Sequence, residues 1–578
     1  MIETKWNIKE VDRELARELA FDLSLSDAVS RLCLVRGIDS VEEFNDFTDL
    51  SLNKMHNPML LPDIKPVVNR IIQALENKEK IFVHGDYDVD GITSTAVVIY
   101  TLRKLGADFS YHVPHRIDDG YDIKEPSVDR AIRAGASLLI SVDCGILAFG
   151  AAEHAKEKGI DLIITDHHTP KDDGSIPDCI GVVNPSRLDS KYPFAGLAGV
   201  GIAFKVMCVL AAKYKQITPK EMIEDLGEFV ALGTVADVAP MVDENRILVS
   251  YGCKKLTNSN KPGIQALLKV AGVKSVDTTS IGFQLGPRIN AIGRLDDPIH
   301  ALELLLTSSE TTAKRLANLL DSANKERQKQ LQQGLEEAIS MVPTDPEILK
   351  QHKIIVLSAA NWHPGLIGLI AGKIAEKYGR PAMVCAILAE GIAKGSCRST
   401  RDFHILNAMK SEKVAPLFKK FGGHAFAAGF EIPVKQLEAM RLNIIDYAKD
   451  KLGEEHESCK TVYVDAEVQF SNIDNRLYDD LLRLAPFGAQ HETPVFYTKG
   501  LKVAKISTVG TDGQHLKLRL TNQRNNSYVN AIWWRHGSWE DTLKEGQTID
   551  IAYVLSKENF QGFENLSLIL EDIKIPVQ

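Results

Sequence analysis

Cysteine is scarce and scattered in this sequence: none of its eight cysteines forms a CxxC pair. That spacing excludes a zinc ribbon and a disulfide framework, and it reads as the reduced thiols of a cytoplasmic protein. Long apolar runs are missing too. No stretch approaches the roughly 20 residues of a membrane span, and no membrane association is expected. The opening MIETKWNIKEVDRE is charged throughout, so no signal peptide is expected. Positive charge is not in excess: 68 Lys and Arg stand against 77 Asp and Glu, a formal net charge of −9. Composition alone therefore gives no sign of nucleic-acid binding, although a local basic channel on an acidic protein can still hold phosphates. Internal repeats and low-complexity segments are also absent. What remains is an ordinary globular composition, 44% hydrophobic and 25% charged, on a chain of 578 residues that is too long for a single core.

The chain divides by pattern. Residues 1–75 read as helical and connective. Over 76–300, short apolar strands alternate with helices: IFVHGD, ITSTAVVIYTLRKLG, FSYHVP, SLLISVDCG, AAEHAKEKG, DLIITDHH and IGVVNP. That alternation predicts βαβ units and a buried parallel sheet. Over 301–343 the text is charged and uniformly helix-forming, which predicts one long helix bridging two domains rather than belonging to either core. A second, smaller α/β unit is expected over 344–455. A β-rich domain over 456–578 carries several short strands and suggests a small barrel.

The chemistry concentrates where strands end. VHGDYDVDG places His84, Asp86, Asp88 and Asp90 directly after an apolar strand; SLLISVDCG ends on Asp143; DLIITDHH ends on Asp166, His167 and His168. ALGTVADV adds Asp237 after an apolar helical run. A single aspartate at a strand end is commonly a cap or turn residue. Three strands with the same habit, two of them carrying histidine, are poorly explained that way. Open α/β sheets bind ligands at this edge. Clustered carboxylates stay ionised together when cations neutralise them. Oxygen ligands with one or two imidazoles and no thiolate favour Mn²⁺ or Mg²⁺ over zinc. The number of ligands suggests two ions, an arrangement suited to phosphoryl hydrolysis because it activates a water and stabilises charge on phosphate oxygens.

These blocks resemble the DHH phosphoesterases, named for the Asp-His-His that stands here as Asp166, His167 and His168. The family's histidine and Asp-x-Asp motif is matched by His84, Asp88 and Asp90, its strand-end aspartate by Asp143, and its later aspartate by Asp237. The resemblance implies one ion on His84, Asp88 and Asp143, and a second on Asp90, Asp143, His167 and Asp237. His168 would face the scissile phosphate. Asp86 is the least certain ligand, reading also as a supporting or turn residue. His168, Asp143 and Asp166 are the expected catalytic residues.

The two-ion core alone fits a pyrophosphatase, a cyclic-dinucleotide phosphodiesterase, an oligoribonuclease or a DNA exonuclease. GPRINAIGRLDD supplies Arg288, Asn290 and Arg294, whose guanidinium forks suit phosphate oxygens; it also reads as a charged loop capped by its own Asn and Asp. NWHPGLIGLIAGK offers His363 and a helix start with free N–H groups, with Pro364 near the first turn. GSCRST offers Ser396 and Arg398. FGGHAFAAGF offers Gly422, Gly423 and His424, though a tight packing turn would look similar. Together these resemble the DHHA1 domain that accompanies the DHH domain and grips a nucleotide. Cys397 stands where the family carries a small residue, a change that leaves Ser396 and Arg398 in place.

The C-terminal barrel narrows the resemblance to the family's single-strand-specific exonucleases, since the small oligonucleotide and cyclic-dinucleotide hydrolases end after DHHA1. Its first half sets Lys499, Lys502, Lys505, Lys517, Arg519 and Arg524 against Asp512 alone, with Tyr497 and Trp533 or Trp534 available to stack bases. A basic groove with aromatics is how OB-folds hold single strands; a solvated strand face over core tryptophans is the plainer alternative. The resemblance implies an α/β fold: a parallel-sheet DHH domain joined by a long helix to DHHA1, plus an OB-fold-like barrel. It also implies a Mn²⁺- or Mg²⁺-dependent 5′→3′ exonuclease on single-stranded DNA. That enzyme would release mononucleotides in DNA repair and recombination, as a monomer, with single-strand-binding protein and a helicase as partners. A short-oligonucleotide or cyclic-dinucleotide phosphodiesterase and a non-catalytic scaffold remain the alternatives.

Overall fold

The computed structural model describes residues 4–115, 119–295, 297–343, 345, 352–389, 391–453, 460–522, 527–560 and 563–576. The chain separates into two compact units, one of Ser51–Ser458 with Gly488–Gln490, the other of Met1–Leu50, Cys459–Phe487 and His491–Gln578.

In the larger unit, five strands form an all-parallel sheet. Their spatial order is Asp108–His112, Lys80–His84, Leu138–Val142, Asp161–Thr165 and Gly181–Val183. In chain order this is 2-1-3-4-5, a doubly wound arrangement whose ligand crevice lies where the order reverses, between the first and third strands. Strand Leu138–Val142 is buried at every position, the mark of a sheet covered on both faces. Helices Val89–Leu105, Gly199–Lys215 and Pro219–Ala236 are apolar on nearly every side and are buried accordingly. A capping box between Thr218 and Glu221 starts the last of them.

The bridging helix differs from its expectation in two ways. It is broken at 307–309 into Ile299–Leu306 and the 32-residue Glu310–Met341, whose N-terminus Ser309 caps. It also belongs to both cores rather than to neither: Ala313, Leu316, Ala317 and Leu320 pack into the catalytic core, while Ala338 packs with Trp362, Ile370 and Val384 of the second α/β layer. Its charged, exposed face hid these apolar positions from a reading of average composition. That second layer is a mixed sheet ordered Lys420–Gly423, Ala427–Pro433, Ile392–Arg398, Ala382–Ile387 and Ile355–Ala359. Helix Ile367–Tyr378 packs on one face and Leu437–Leu452 on the other.

In the smaller unit, strand Phe496–Val509 pairs with both His515–Thr521 and Thr548–Phe560. Val529–Trp533 and Phe563–Lys574 complete a closed five-stranded barrel of OB type. Along His515–Thr521 the side chains alternate: Leu516, Leu518 and Leu520 fill the barrel while Lys517 and Arg519 face outward. The N-terminal segment does not behave as the single piece 1–75. Strand Thr4–Ile8 pairs with Lys460–Val464, and Leu19, Val29, Leu32 and Phe44 share one core with Leu477, Leu481 and the barrel. Helix Ile64–Glu76 instead buries Ile64, Val67 and Ile71 in the catalytic core. Among the described residues no helix is long and apolar enough to cross a membrane.

Candidate metal centre

Each acidic residue of VHGDYDVDG is placed by an ordinary local device. Asp88 caps helix Val89–Leu105, accepting from the Gly91 N–H at 3.0 Å. Two residues on, within the first turn, Asp90 is buried and accepts from the N–H groups of Gly199 (2.7 Å) and Val200 (2.8 Å) at the start of the next long helix. Gly91 is required because a Cβ there would lie 2.6 Å from Asp86. Asp143 follows its strand in the left-handed region, with φ 61°, a conformation that Asp tolerates better than most residues. Asp237 ends helix Pro219–Ala236.

These devices converge. His167 Nε2 lies 3.2 Å from Asp143 Oδ1, 3.8 Å from Asp237 Oδ2 and 3.9 Å from Asp90 Oδ2. Asp143 Oδ1 and His167 Nε2 are both buried, yet neither makes a hydrogen bond. Ligands about 2.1 Å from one ion are separated by roughly such distances. Asp90, His167 and Asp237 form one group of possible ligand atoms, Asp86, Asp88 and Asp143 a second, and Asp143, His167 and His168 a third; within each group the atoms lie within 4.8 Å of one another. The second group contains Asp86 where the family resemblance implied His84. His84 ends its strand fully buried, and neither ring nitrogen has a hydrogen-bond partner.

Electrostatics separate the roles. Burial, with repulsion from Asp88, raises Asp90 to about 7, and burial with repulsion from Asp90 raises Asp237 to about 8. Asp143 is raised for the same two reasons. Burial lowers His84 to about 3 and His167 to about 4, so both are neutral imidazoles fit to bind a cation. Burial would also lower His168, but its bond to Asp166 overcomes that and raises it to about 9. Asp166, expected to be catalytic, is fully buried, and its oxygens are taken up within the turn. They accept from Ile146 N (2.8 Å), His167 N (2.7 Å), His168 N (3.1 Å) and His168 Nδ1 (2.8 Å). Its place is that of a positioning residue for His168. Tyr121, which the sequence reading did not single out, puts its hydroxyl 3.1 Å from the same Nδ1.

Orphaned ligand atoms, raised carboxyls and neutral imidazoles are what a hard divalent pair would correct, so these residues fit Mn²⁺ or Mg²⁺. A testable consequence follows from the sign of the shifts. Carboxyls raised in the folded state stabilise it fully below their unfolded pKa, near 4, and that stability is lost as pH climbs through about 7 and 8. Thermal melts of chelated protein should therefore fall between about pH 4 and pH 8, and saturating Mn²⁺ should raise the melting temperature more at the alkaline end. An equal Mn²⁺ effect at both ends would contradict the assignment.

The other expected contacts fall into three places. Arg288 and Asn290 lie on helix Gly286–Leu295, which two glycines allow close to the metal loops. A Cβ at Gly286 would lie 3.4 Å from Ala236, and one at Gly293 would lie 3.0 Å from the Tyr87 carbonyl. Arg294 is on the same helix, its side chain outside the described residues. In the second α/β layer, a cavity of about 450 Å³ brings together Gly365, Gly368, Ser396, Arg398 and Gly422, with Lys394 and Lys420, two cations the sequence reading missed. Helix Ile367–Tyr378 starts three residues after Pro364, and His363 Nδ1 accepts from Gly365 N. Gly423 adopts φ 144° in the adjoining hairpin, where a Cβ would lie 2.5 Å from the Ala428 Cα. His424 is exposed and is not among the residues lining that cavity.

On the barrel, Lys505 pairs with Arg519 and Ser507 with Lys517 in register, while Lys502 pairs with Thr521, giving one basic outer face. The aromatics differ from expectation. Tyr497 and Trp533 are buried, Tyr497 bonding Glu467 and Trp533 stacking on His536. Trp534 is 49% exposed, and Tyr528 is 47% exposed with its ring 4.2 Å from the Arg519 guanidinium. Arg524 lies outside the described residues.

Known proteins share this arrangement. The DHH family N-terminal domain matches residues 80–234, the DHHA1 domain 351–450 and the RecJ OB domain 464–572. The single-stranded-DNA-specific exonuclease RecJ of Bacillus subtilis is 32% identical over 574 residues, covering 99% of this chain and 71% of that protein. RecJ of Haemophilus influenzae is 32% identical, covering 96% and 98%. The crystal structure of RecJ in complex with Mn²⁺ from Thermus thermophilus superposes with a TM-score of 0.82 at 27% identity, over 100% of this chain and 80% of that one. Its Mg²⁺ complex gives 0.77 at 25% identity, over 100% and 79%. With all three modules matched in order and near-complete relatives above 30% identity, the chain belongs to the RecJ family of DHH proteins.

Proposed function

We propose that this chain is a Mn²⁺- or Mg²⁺-dependent exonuclease that digests single-stranded DNA from the 5′ end, releasing mononucleotides. The observation that carries the reading is the cluster of Asp90, His167 and Asp237 beside Asp86, Asp88 and Asp143, on a chain similar along its whole length to single-stranded-DNA-specific exonucleases.

Divalent cations held there supply Lewis acidity toward the phosphodiester and lower the pKa of a water. Asp90, Asp143, His167 and Asp237 would hold one ion and Asp86, Asp88 and Asp143 the other, with the buried, unbonded ring nitrogens of His84 available as a further ligand. His168, raised to about 9, is an imidazolium at neutral pH; Asp166 holds its Nδ1 proton, so Nε2–H is the donor left for a phosphate oxygen as charge develops. Arg288, Asn290 and Arg294, with Ser396, Arg398 and Gly422 in the DHHA1 cavity and His363, Gly423 and His424 of the adjoining turns, grip the terminal nucleotide and its phosphate. Lys502, Lys517 and Arg519, with Tyr528 and Trp534 to stack bases, hold the strand on the barrel. A channel between the DHH and DHHA1 domains too narrow for a duplex accounts for the strand preference. The reading includes a cytoplasmic monomer, with single-strand-binding protein and a helicase as partners in repair and recombination. Of the sequence's division it keeps a DHH domain over 76–300, DHHA1 over 344–455 and an OB-fold over 456–578.

The test is a single-stranded 50-mer labelled at either end. Mononucleotide should appear at once from the 5′ label while the 3′-labelled strand shortens gradually, and blunt duplex should resist. Equal digestion of duplex, or hydrolysis confined to dinucleotides, would refute the reading. His168→Gln should lower kcat on the same substrate by about 10²–10³-fold with bound metal unchanged; loss of metal instead would move His168 into the ligand set.

A further inference from the structure

The long helix Glu310–Met341 carries a polar cluster set against helix Gly286–Leu295. Asp321, nearly buried, binds Arg288 through Oδ1 at 3.0 Å from Nε and binds Lys325 through Oδ2 at 2.8 Å from Nζ. Arg288 Nη1 also donates to the Gln284 carbonyl at 2.7 Å, within the π-wound turn Ile281–Leu285. These contacts occupy the Nε–H and one Nη1 proton, leaving the other Nη1 proton and the Nη2 protons, at the end of the fork, for a phosphate. Charge points the same way: Arg288 and Asp321 alone would cancel, but Lys325 leaves the trio with a net positive charge, so an anion is still attracted.

We infer that Asp321 is a positioning residue for Arg288, aiming its fork at the terminal phosphate of the DNA strand and so tying end recognition to the helix that links the DHH and DHHA1 domains. This rests on the reading that Arg288 binds that phosphate. A carboxylate that holds a guanidinium in one orientation spares it the loss of rotamer freedom on binding; the effect appears in substrate affinity and only for strands that carry the phosphate. A purely architectural ion pair between two helices would instead affect all substrates alike.

The experiment compares kcat/KM on 5′-phosphorylated and 5′-hydroxyl single strands for the wild type, Arg288→Ala, Asp321→Asn and Asp321→Glu, with melting temperatures measured alongside. The wild type should prefer the phosphorylated strand. Asp321→Asn should lose ten-fold or more on that strand, chiefly through KM, with little change on the hydroxyl strand, and Asp321→Glu should recover most of the loss. If Arg288→Ala leaves the preference intact, or the wild type has none, the reading of Arg288 fails and the inference with it. If Arg288→Ala abolishes the preference but Asp321→Asn preserves it, lowers both substrates equally, or improves the phosphorylated one, the reading stands and the positioning role is overturned. Asp321→Glu guards against misfolding: a folded Glu variant that still lacks the preference also counts against it.

Discussion

Asp143→Asn should remove hydrolysis of single-stranded DNA, by at least about 10³-fold, while leaving the protein folded. Asp143 is shared by two of the three possible ligand groups, and its Oδ1 faces His167 Nε2 with no hydrogen bond between them. Losing its charge therefore weakens both ion positions at once. The fold should survive because asparagine also tolerates the left-handed backbone that Asp143 adopts, φ 61°. In the chelated protein the change should be neutral or stabilising, since it removes one buried carboxyl that Asp90, Asp88 and Asp86 repel. Combining it with His167→Ala should cost little more than either change alone, because ligands of one centre act as a unit. Activity assays with thermal melts check all three statements; an active Asp143→Asn protein, or a double variant far worse than the single ones, would contradict them.

Gly199→Ala is the second large effect, and it arises from packing rather than from a ligand. A Cβ at Gly199 would lie 2.8 Å from both Cβ and Cγ of Asp143 and would press on its Oδ1, while the Gly199 N–H holds Asp90. One methyl thus displaces ligands from both ion groups. The expected cost is roughly 1–3 kcal/mol of stability from overpacking and an activity loss on the order of 10²-fold, from a shift of about an ångström at the reacting centre. Gly233, whose Cβ would lie 2.8 Å from Asp90 Oδ1, should behave similarly. Raising Mn²⁺ should recover part of the activity in either variant, and a Gly199→Ala protein with wild-type turnover would show that the carboxylate has room to move.

These two residues mark the boundary of what could be read from the sequence. Asp143 was legible because a charged residue closing an apolar strand breaks a local pattern, and Asp90, His167 and Asp237 were legible in the same way. Gly199 was not: GLAGVG reads as any helix start, and its role comes from a strand end more than fifty residues earlier in the chain. The same holds for Asp321, one acid in a charged helix until the fold sets it against Arg288. Asp86 was the least certain ligand, since alternation along a strand end does not say which carboxylates turn inward; the structure groups it with Asp88 and Asp143. The barrel's basic face was visible in the spacing of Lys517 and Arg519, but its aromatics were not. Burial of Tyr497 and Trp533 and exposure of Tyr528 and Trp534 depend on barrel closure. The packing of Leu19, Leu32 and Phe44 against Leu477 and Leu481 joins segments more than 400 residues apart, beyond the reach of any local signal.

The centre itself is most directly tested by counting bound metal. Protein stripped of metal, reloaded with Mn²⁺ and freed of excess should carry two ions per chain by elemental analysis, and its digestion of single-stranded DNA should rise with loading. Asp143→Asn treated identically should hold less than one ion and stay inactive. A stripped protein that digests at the full rate, or an Asp143→Asn protein that carries two ions and full activity, would show that the clustered carboxylates and imidazoles are not the seat of the reaction.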